Sequence, residues 1–108
     1  MPDPGFITRP TEFVDFLSYV LLSAPDEYPS EEGFTNASAF AELFNALEFF
    51  QEHTPSPEGR EAVTQVQRGL RVVFELYEKD DPTTAAHLLQ EEERRFQSVR
   101  RYINVSDE

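Results

Sequence analysis

Cysteine is absent from these 108 residues, and with it go disulfides, thiolate metal sites and cysteine nucleophiles. Long apolar runs are missing too: the longest, Tyr19-Val20-Leu21-Leu22, falls far short of the about 20 residues that span a bilayer. No alternating apolar–polar stretch of useful length occurs, so no strand is expected. Internal repeats and low-complexity tracts are absent. So are the phosphate-cradling glycine loop, G-x-S-x-G and the dinucleotide fingerprint. The start, Met1-Pro2-Asp3-Pro4-Gly5, has no basic segment leading into an apolar one, which argues against a signal peptide and for a cytoplasmic protein.

Basic side chains are scarce where acids are dense. Net charge is −12. Residues 1–59 hold eleven acids against Arg9 alone, whereas residues 60–108 hold ten acids and eight bases. Such a field repels nucleic acid and anionic membranes and speeds encounter with a basic partner. Solubility alone accounts for the sign of the charge, but not for its uneven spread.

The length suits one domain over residues 1–108. Residues 1–9 read as an arm pinned by Phe6 and Ile7. A first helix starts at Pro10 with Thr8 or Arg9 near its cap; Phe13, Phe16, Leu17, Val20, Leu21 and Ala24 share its stripe, and Pro25 ends it. A second helix, capped by Thr35 or Asn36, carries Phe40, Leu43, Phe44, Leu47 and Phe50 on one face. Ser56-Pro57-Glu58 is a start signal for a third helix reaching Lys79. Its apolar face is broad, with Ala62, Val63, Val66, Gly69, Leu70, Val73, Phe74, Leu76 and Tyr77 together and Val72 at the margin. That places it centrally, against helices on at least two sides.

Asp80-Asp81-Pro82 ends the third helix and caps a fourth, about Pro82 to Ile103, as its antiparallel neighbour. On the seam between them Glu92 is the one charge, and a buried carboxylate calls for Arg68 or Arg71 as its partner. Asn104 to Glu108 reads as a frayed tail. The fold class is an all-α, four-helix bundle-like domain.

Catalysis has little to work with. His87 and Glu91 stand one turn apart, but a bundle di-metal motif needs an acid at position 84, which is Thr84. They read as a solvated pair, and His53 as a partner of a helix C-terminal dipole. The carboxylates of Glu91, Glu92 and Glu93 spread around a helix and do not converge. Arg94, Arg95, Arg100 and Arg101 form a basic cluster without interleaved aromatics, better suited to internal pairing such as Glu91 with Arg95. No catalytic residue, metal ligand or cofactor is assigned, and an enzyme is not expected.

The bundle leaves Tyr28, Phe34, Leu22 and Phe49 unexplained. They are set among Asp15, Asp26, Glu27, Glu31, Glu32, Glu42, Glu48 and Glu52. Rings amid acids suit an inhibitor of a basic protein: the rings supply desolvated contacts and the acids steer encounter. The expected partner-binding residues are Asp26, Glu27, Tyr28, Glu31, Glu32, Phe34, Glu48, Phe49 and Glu52. The bland alternative has Tyr28 and Phe34 folding back as lids on the core.

In the stretches FVDFLSYVLLSAPDEYPSEE and LEFFQEHTPSPEG, and in size, the chain resembles the small acidic helical immunity proteins with which bacteria neutralise toxins, colicin-nuclease and secretion-system immunity proteins among them. The helix-three tyrosine pair and the short chain of the colicin-nuclease group are missing, so no binding residue is carried over. The resemblance implies a cytoplasmic inhibitor bound one-to-one to a toxin domain. Two other readings stand beside it: a nucleic-acid mimic of the anti-restriction or anti-CRISPR type, and a homodimeric adaptor joined through Leu22, Phe49 and the fourth helix.

Overall fold

The computed structural model describes residues 7–105. Four α-helices make up most of that span: α1, Pro10–Ser23; α2, Asn36–Glu52; α3, Pro57–Glu78; and α4, Pro82–Val99. Two 3-10 turns, Ser30–Glu32 and Arg100–Tyr102, complete the set, and no strand occurs among the described residues. The all-α, four-helix expectation holds.

Local chemistry sets the helix starts. Thr35 Oγ1 accepts from the Ser38 amide at 3.1 Å, and Ser38 Oγ accepts from the Thr35 amide at 2.8 Å, a reciprocal cap for α2. Ser56 Oγ accepts from the Gly59 amide at 2.9 Å, with Pro57 occupying the first helical position of α3. Asp81 Oδ1 receives the Thr84 amide at 3.4 Å at the start of α4. α1 works differently: Arg9 supplies no side-chain cap, and Glu12 Oε1 takes the Thr8 amide at 3.0 Å.

α3 packs most closely against α4 and meets α2 on its other side, while α1 touches both α2 and α4. Two-sided contact is what the broad face of α3 requires. Val63, Val66, Leu70, Val73 and Tyr77 are buried there, and Val72 at the margin is exposed. The centre is aromatic. Phe13 of α1 lies 4.4 Å from Phe96 of α4 and 5.7 Å from Phe50 of α2, ring centre to ring centre, and all three rings are buried. Each contributes roughly 1.5–3 kcal/mol by leaving water.

The chain ends depart from expectation in part. Ile7 is buried, as the pinned arm requires, while Phe6 lies outside the described residues. The tail does not fray at Asn104: its amide donates to the His53 carbonyl at 2.8 Å, Ile103 is buried, and Val105 packs on the core. Tyr102 also reaches across, its hydroxyl 3.1 Å from Glu58 Oε1 and its Cβ closing over Gly59. Residues 106–108 lie outside the described span.

Glu92 is buried on the α3–α4 seam as expected, but its partner is neither Arg68 nor Arg71. Arg95 Nε on the same helix lies 3.7 Å from Glu92 Oε1. Arg71 instead covers the Phe44 ring at 5.3 Å, and Arg68 Nη1 stands 4.0 Å from Glu61 Oε1. Gly69 is the reason. The Glu92 carboxyl occupies the space that a Cβ at position 69 would fill, so it lies flat against α3 and does not extend toward the arginines of that helix.

Two outcomes follow from this geometry. Asp80 sits at φ 64° in the turn after α3, where its amide reaches the Tyr77 carbonyl at 3.2 Å and the Asp81 amide reaches Leu76 at 2.9 Å. In urea melts Asp80→Gly raises stability by up to about 1 kcal/mol, and Asp80→Val lowers it by about 1–2 kcal/mol. Burial holds the Glu92 carboxyl above its ordinary 4.5, with Arg95 opposing and Glu91 adding to the rise. A carboxyl raised in the folded state supports folding below its ordinary titration range and withdraws that support as pH climbs through the raised value. Glu92→Gln therefore gains on the wild type in denaturant melts as pH climbs above 4.5, whereas a pH-independent gap would speak against a buried charge.

Candidate functional site

The acidic segment between α1 and α2 is an ordered structure. Glu27 donates its amide to the Ser23 carbonyl at 2.7 Å, extending the end of α1. Ser30–Glu32 forms a 3-10 turn, which Gly33 closes at φ 73°, a left-handed conformation that glycine adopts without a Cβ penalty. Four rings hold the segment down. Phe34 stands 5.3 Å from Phe16 and 5.9 Å from Tyr19, and Tyr28 stands 5.8 Å from Tyr19. Tyr28 Oη donates to Asn36 Oδ1 at 3.0 Å, tying the loop to the first turn of α2.

Tyr28 and Phe34 are thus half-buried, each packed on the core with one side left outward. Their chief contacts are internal, which is the lid arrangement. Asp26, Glu27, Glu31 and Glu32 are all exposed around them, and none forms an ion pair among the described residues. Leu22, at the end of α1, is 80% exposed, the most exposed large apolar side chain among the described residues. Asp15 lies seven residues before it, two turns away on the same helical face.

The remaining candidates do not join this patch. Glu48, Phe49 and Glu52 belong to the last turns of α2, roughly 18–24 Å along the helix from Asn36 at about 1.5 Å per residue. Glu48 and Glu52 are exposed and, with Gln51 and Arg60, line a groove of about 440 Å³. Phe49 is half-buried, its ring 4.4 Å from that of His53 and 6.0 Å from that of Phe50. His53 Nδ1 lies 2.9 Å from the Phe49 carbonyl at the helix end. One acidic–aromatic surface was expected, and two patches at opposite ends of α2 are found. Glu42, grouped with those acids, is buried.

A third feature has no counterpart among the expected sites. Between α3 and α4 a groove of about 280 Å³ runs over Gly69, bordered by Arg68, Val72, Leu88, Glu92 and Arg95. Its sequence signals were Gly69 inside a helix and Glu92 on an apolar seam, both locally unfavourable. The basic cluster near it disperses. Arg100 donates to Gln97 Oε1 and Thr11 Oγ1, each at 2.9 Å, Arg101 covers the Tyr102 ring at 5.0 Å, and Arg95 takes Glu92, not Glu91.

Among the described residues no three histidine, aspartate or glutamate side chains gather where a metal could sit. No described helix is long and apolar enough to cross a membrane. The chain matches no protein-family model, no curated protein and no solved structure.

The loop platform has a pH signature. Burial, with the neighbouring Glu32 and Glu31, pushes the Tyr19 phenol up to about 12, and burial also raises that of Tyr28. A phenol raised in the folded state supports folding below its ordinary value and loses that support as pH rises through the raised one. Stability in urea melts falls between pH 10.0 and about 12, and Tyr19→Phe flattens part of the fall. An unchanged alkaline profile in that variant would place Tyr19 outside the platform.

Proposed function

We propose that this chain is a cytoplasmic, acidic protein-binding inhibitor, an immunity protein that neutralises a bacterial toxin domain by direct one-to-one binding. It acts without catalysis and without a cofactor. Two observations carry the reading: Leu22 is 80% exposed, and the ring-anchored loop shows four exposed carboxylates that form no ion pair among the described residues. An apolar side chain in water is a ready contact for a partner's surface. Carboxylates that form no ion pair among the described residues leave their field available for steering a basic protein. An ordered loop also lowers the entropy cost of binding.

Leu22 takes the central place first given to Tyr28 and Phe34, whose rings serve the loop from beneath. Asp26, Glu27, Glu31 and Glu32 keep their assigned role, while Glu48, Phe49 and Glu52 form a second and separate contact region. The separation of the two patches disfavours mimicry of nucleic acid, which calls for a continuous row of charge. Leu22 is equally available to a second copy of the chain, and light scattering on the pure protein distinguishes that reading by a dimer mass.

The test is capture from a lysate of the native host, compared between wild type and variants. Wild type retains a basic protein whose toxic activity it suppresses. Joint reversal of Asp26, Glu27, Glu31 and Glu32 to lysine slows association about tenfold or more, and Leu22→Ser weakens retention, both with melting behaviour intact. Equal retention by all three proteins, or none by the wild type, would overturn the proposal.

A further inference from the structure

Residues 100–105 form a strap that lies over the corner between α2 and α3. The Asn104 amide donates to the His53 carbonyl at 2.8 Å. The Tyr102 hydroxyl donates to Glu58 Oε1 at 3.1 Å, and Arg101 covers the Tyr102 ring at 5.0 Å. Ile103 is buried and Val105 packs on the core, so the strap is anchored by apolar contact as well. At Gly59 the fit is steric. A Cβ there would stand 2.7 Å from Tyr102 Cβ and 2.6 Å from Thr54 Cγ2, closer than carbon atoms approach one another. Alanine is the better helix former, so glycine in the first turn of α3 is explained by the strap that closes over it.

From this corner a chain of contacts leads to Phe49. His53 is the first residue beyond α2, and the carbonyl that Asn104 holds is its own. Its side chain turns back along the helix. Nδ1 lies 2.9 Å from the Phe49 carbonyl, and the imidazole centre lies 4.4 Å from that of the Phe49 ring with the planes 37° apart. A carbonyl only accepts, so Nδ1 is the nitrogen that carries the proton. Thr54 is fastened separately: it is buried, and its Oγ1 donates to the Phe50 carbonyl at 2.7 Å. Thr54 thus secures the backbone after His53, while the strap secures the His53 carbonyl itself. His53 is exposed, and an exposed imidazole on an unheld backbone would exchange freely among rotamers.

We infer that the C-terminal strap is a positioning element for the second contact region: through Asn104 it holds the His53 ring on Phe49, and so sets how the half-buried Phe49 is presented. Asn104 and Tyr102 are the positioning residues, and neither needs to touch a partner to act. The consequence for a partner rests on the inhibitor reading. The coupling of strap to ring pair does not, and it is measured without any partner.

Imidazole ¹⁵N NMR on the intact protein tests it, with His87, exposed on α4, as the internal control. In the wild type His53 shows the Nδ1–H tautomer and proton contacts to the Phe49 ring. Asn104→Pro removes one backbone donor at an exposed position, and Ile103, at φ −86° and ψ 123°, already has the extended backbone that a following proline requires. In this variant His53 passes to a mixture of tautomers and its contacts to Phe49 are lost. Asn104→Ala keeps the donor and the wild-type signature. Gly59→Ala, which drives Tyr102 away, reproduces the Asn104→Pro result by a separate route. The His87 signals and the amides of Glu27 and Gly33 stay native throughout. A retained His53 signature in Asn104→Pro and Gly59→Ala would overturn the inference, as would its loss in Asn104→Ala. Collapse of the whole native spectrum in both disruptive variants overturns it too, since the strap would then hold the bundle and not the ring pair. Failure to capture a partner leaves these spectra as they are, so the two readings fail separately.

Discussion

Three phenylalanine rings, Phe13, Phe50 and Phe96, are the contact on which the arrangement of helices depends. Each comes from a different helix, and the three centres lie within 5.9 Å of one another. Rings this large fix interaxial spacing, because a side chain of another shape would leave a void or a clash among them. α3 then needs no ring at the same level. Val63, Val66 and Leu70 complete the core with smaller side chains, which allows α3 to approach α4 closely enough for Gly69 to receive the Glu92 carboxyl. At this level the groove and the core follow from one size distribution: large rings on α1, α2 and α4, and smaller side chains on α3, whose own rings Phe74 and Tyr77 pack on Phe40 further along.

The parts of this fold legible in the sequence are those decided within a few residues. Thr35 and Ser56 act as caps where hydroxyls precede an apolar period, and Asp80-Asp81-Pro82 makes the hairpin. The stripes of α1, α2 and α3 appear as read, since a period of about 3.6 residues fixes which side chains meet the core. Glu92 was likewise identified as a seam charge. Its partner was not, because the choice among Arg68, Arg71 and Arg95 depends on whether the carboxyl lies flat or extends. That in turn depends on the space above Gly69, which no spacing rule encodes. The first two tail residues depart from expectation for a similar reason: Asn104 is held by a carbonyl some fifty residues away, a contact that composition cannot register.

The candidate site was legible as a list of residues and not as a surface. Asp26, Glu27, Glu31 and Glu32 are as exposed as their charge demands, and Glu48 and Glu52 are as well. The unity of the two groups failed on helix length alone: a rigid α2 keeps its two ends apart however similar their composition. Tyr28 and Phe34 were open to two readings because a half-buried ring has the same sequence signature as an exposed one. Packing on Phe16 and Tyr19 decides it, and that packing is a property of how the loop returns to α1.

Ring support and charge display are linked by more than adjacency. Four like charges within seven residues repel one another, and a chain free to move would relieve that repulsion by extending. The loop is held compact by apolar burial of Tyr28 and Phe34 and by the Tyr28–Asn36 hydrogen bond, which together oppose the repulsion. The outward carboxylates then keep a fixed spacing at little further cost, since exposed charges in water interact weakly at these separations. For the proposed inhibitor, an ordered set of carboxylates together with an exposed Leu22 would supply both steering charge and an apolar contact before encounter. An unanchored acidic loop would steer equally well but would lose much of the resulting affinity to ordering. This is why the rings beneath the loop matter to the proposed inhibitor as much as the charges above it.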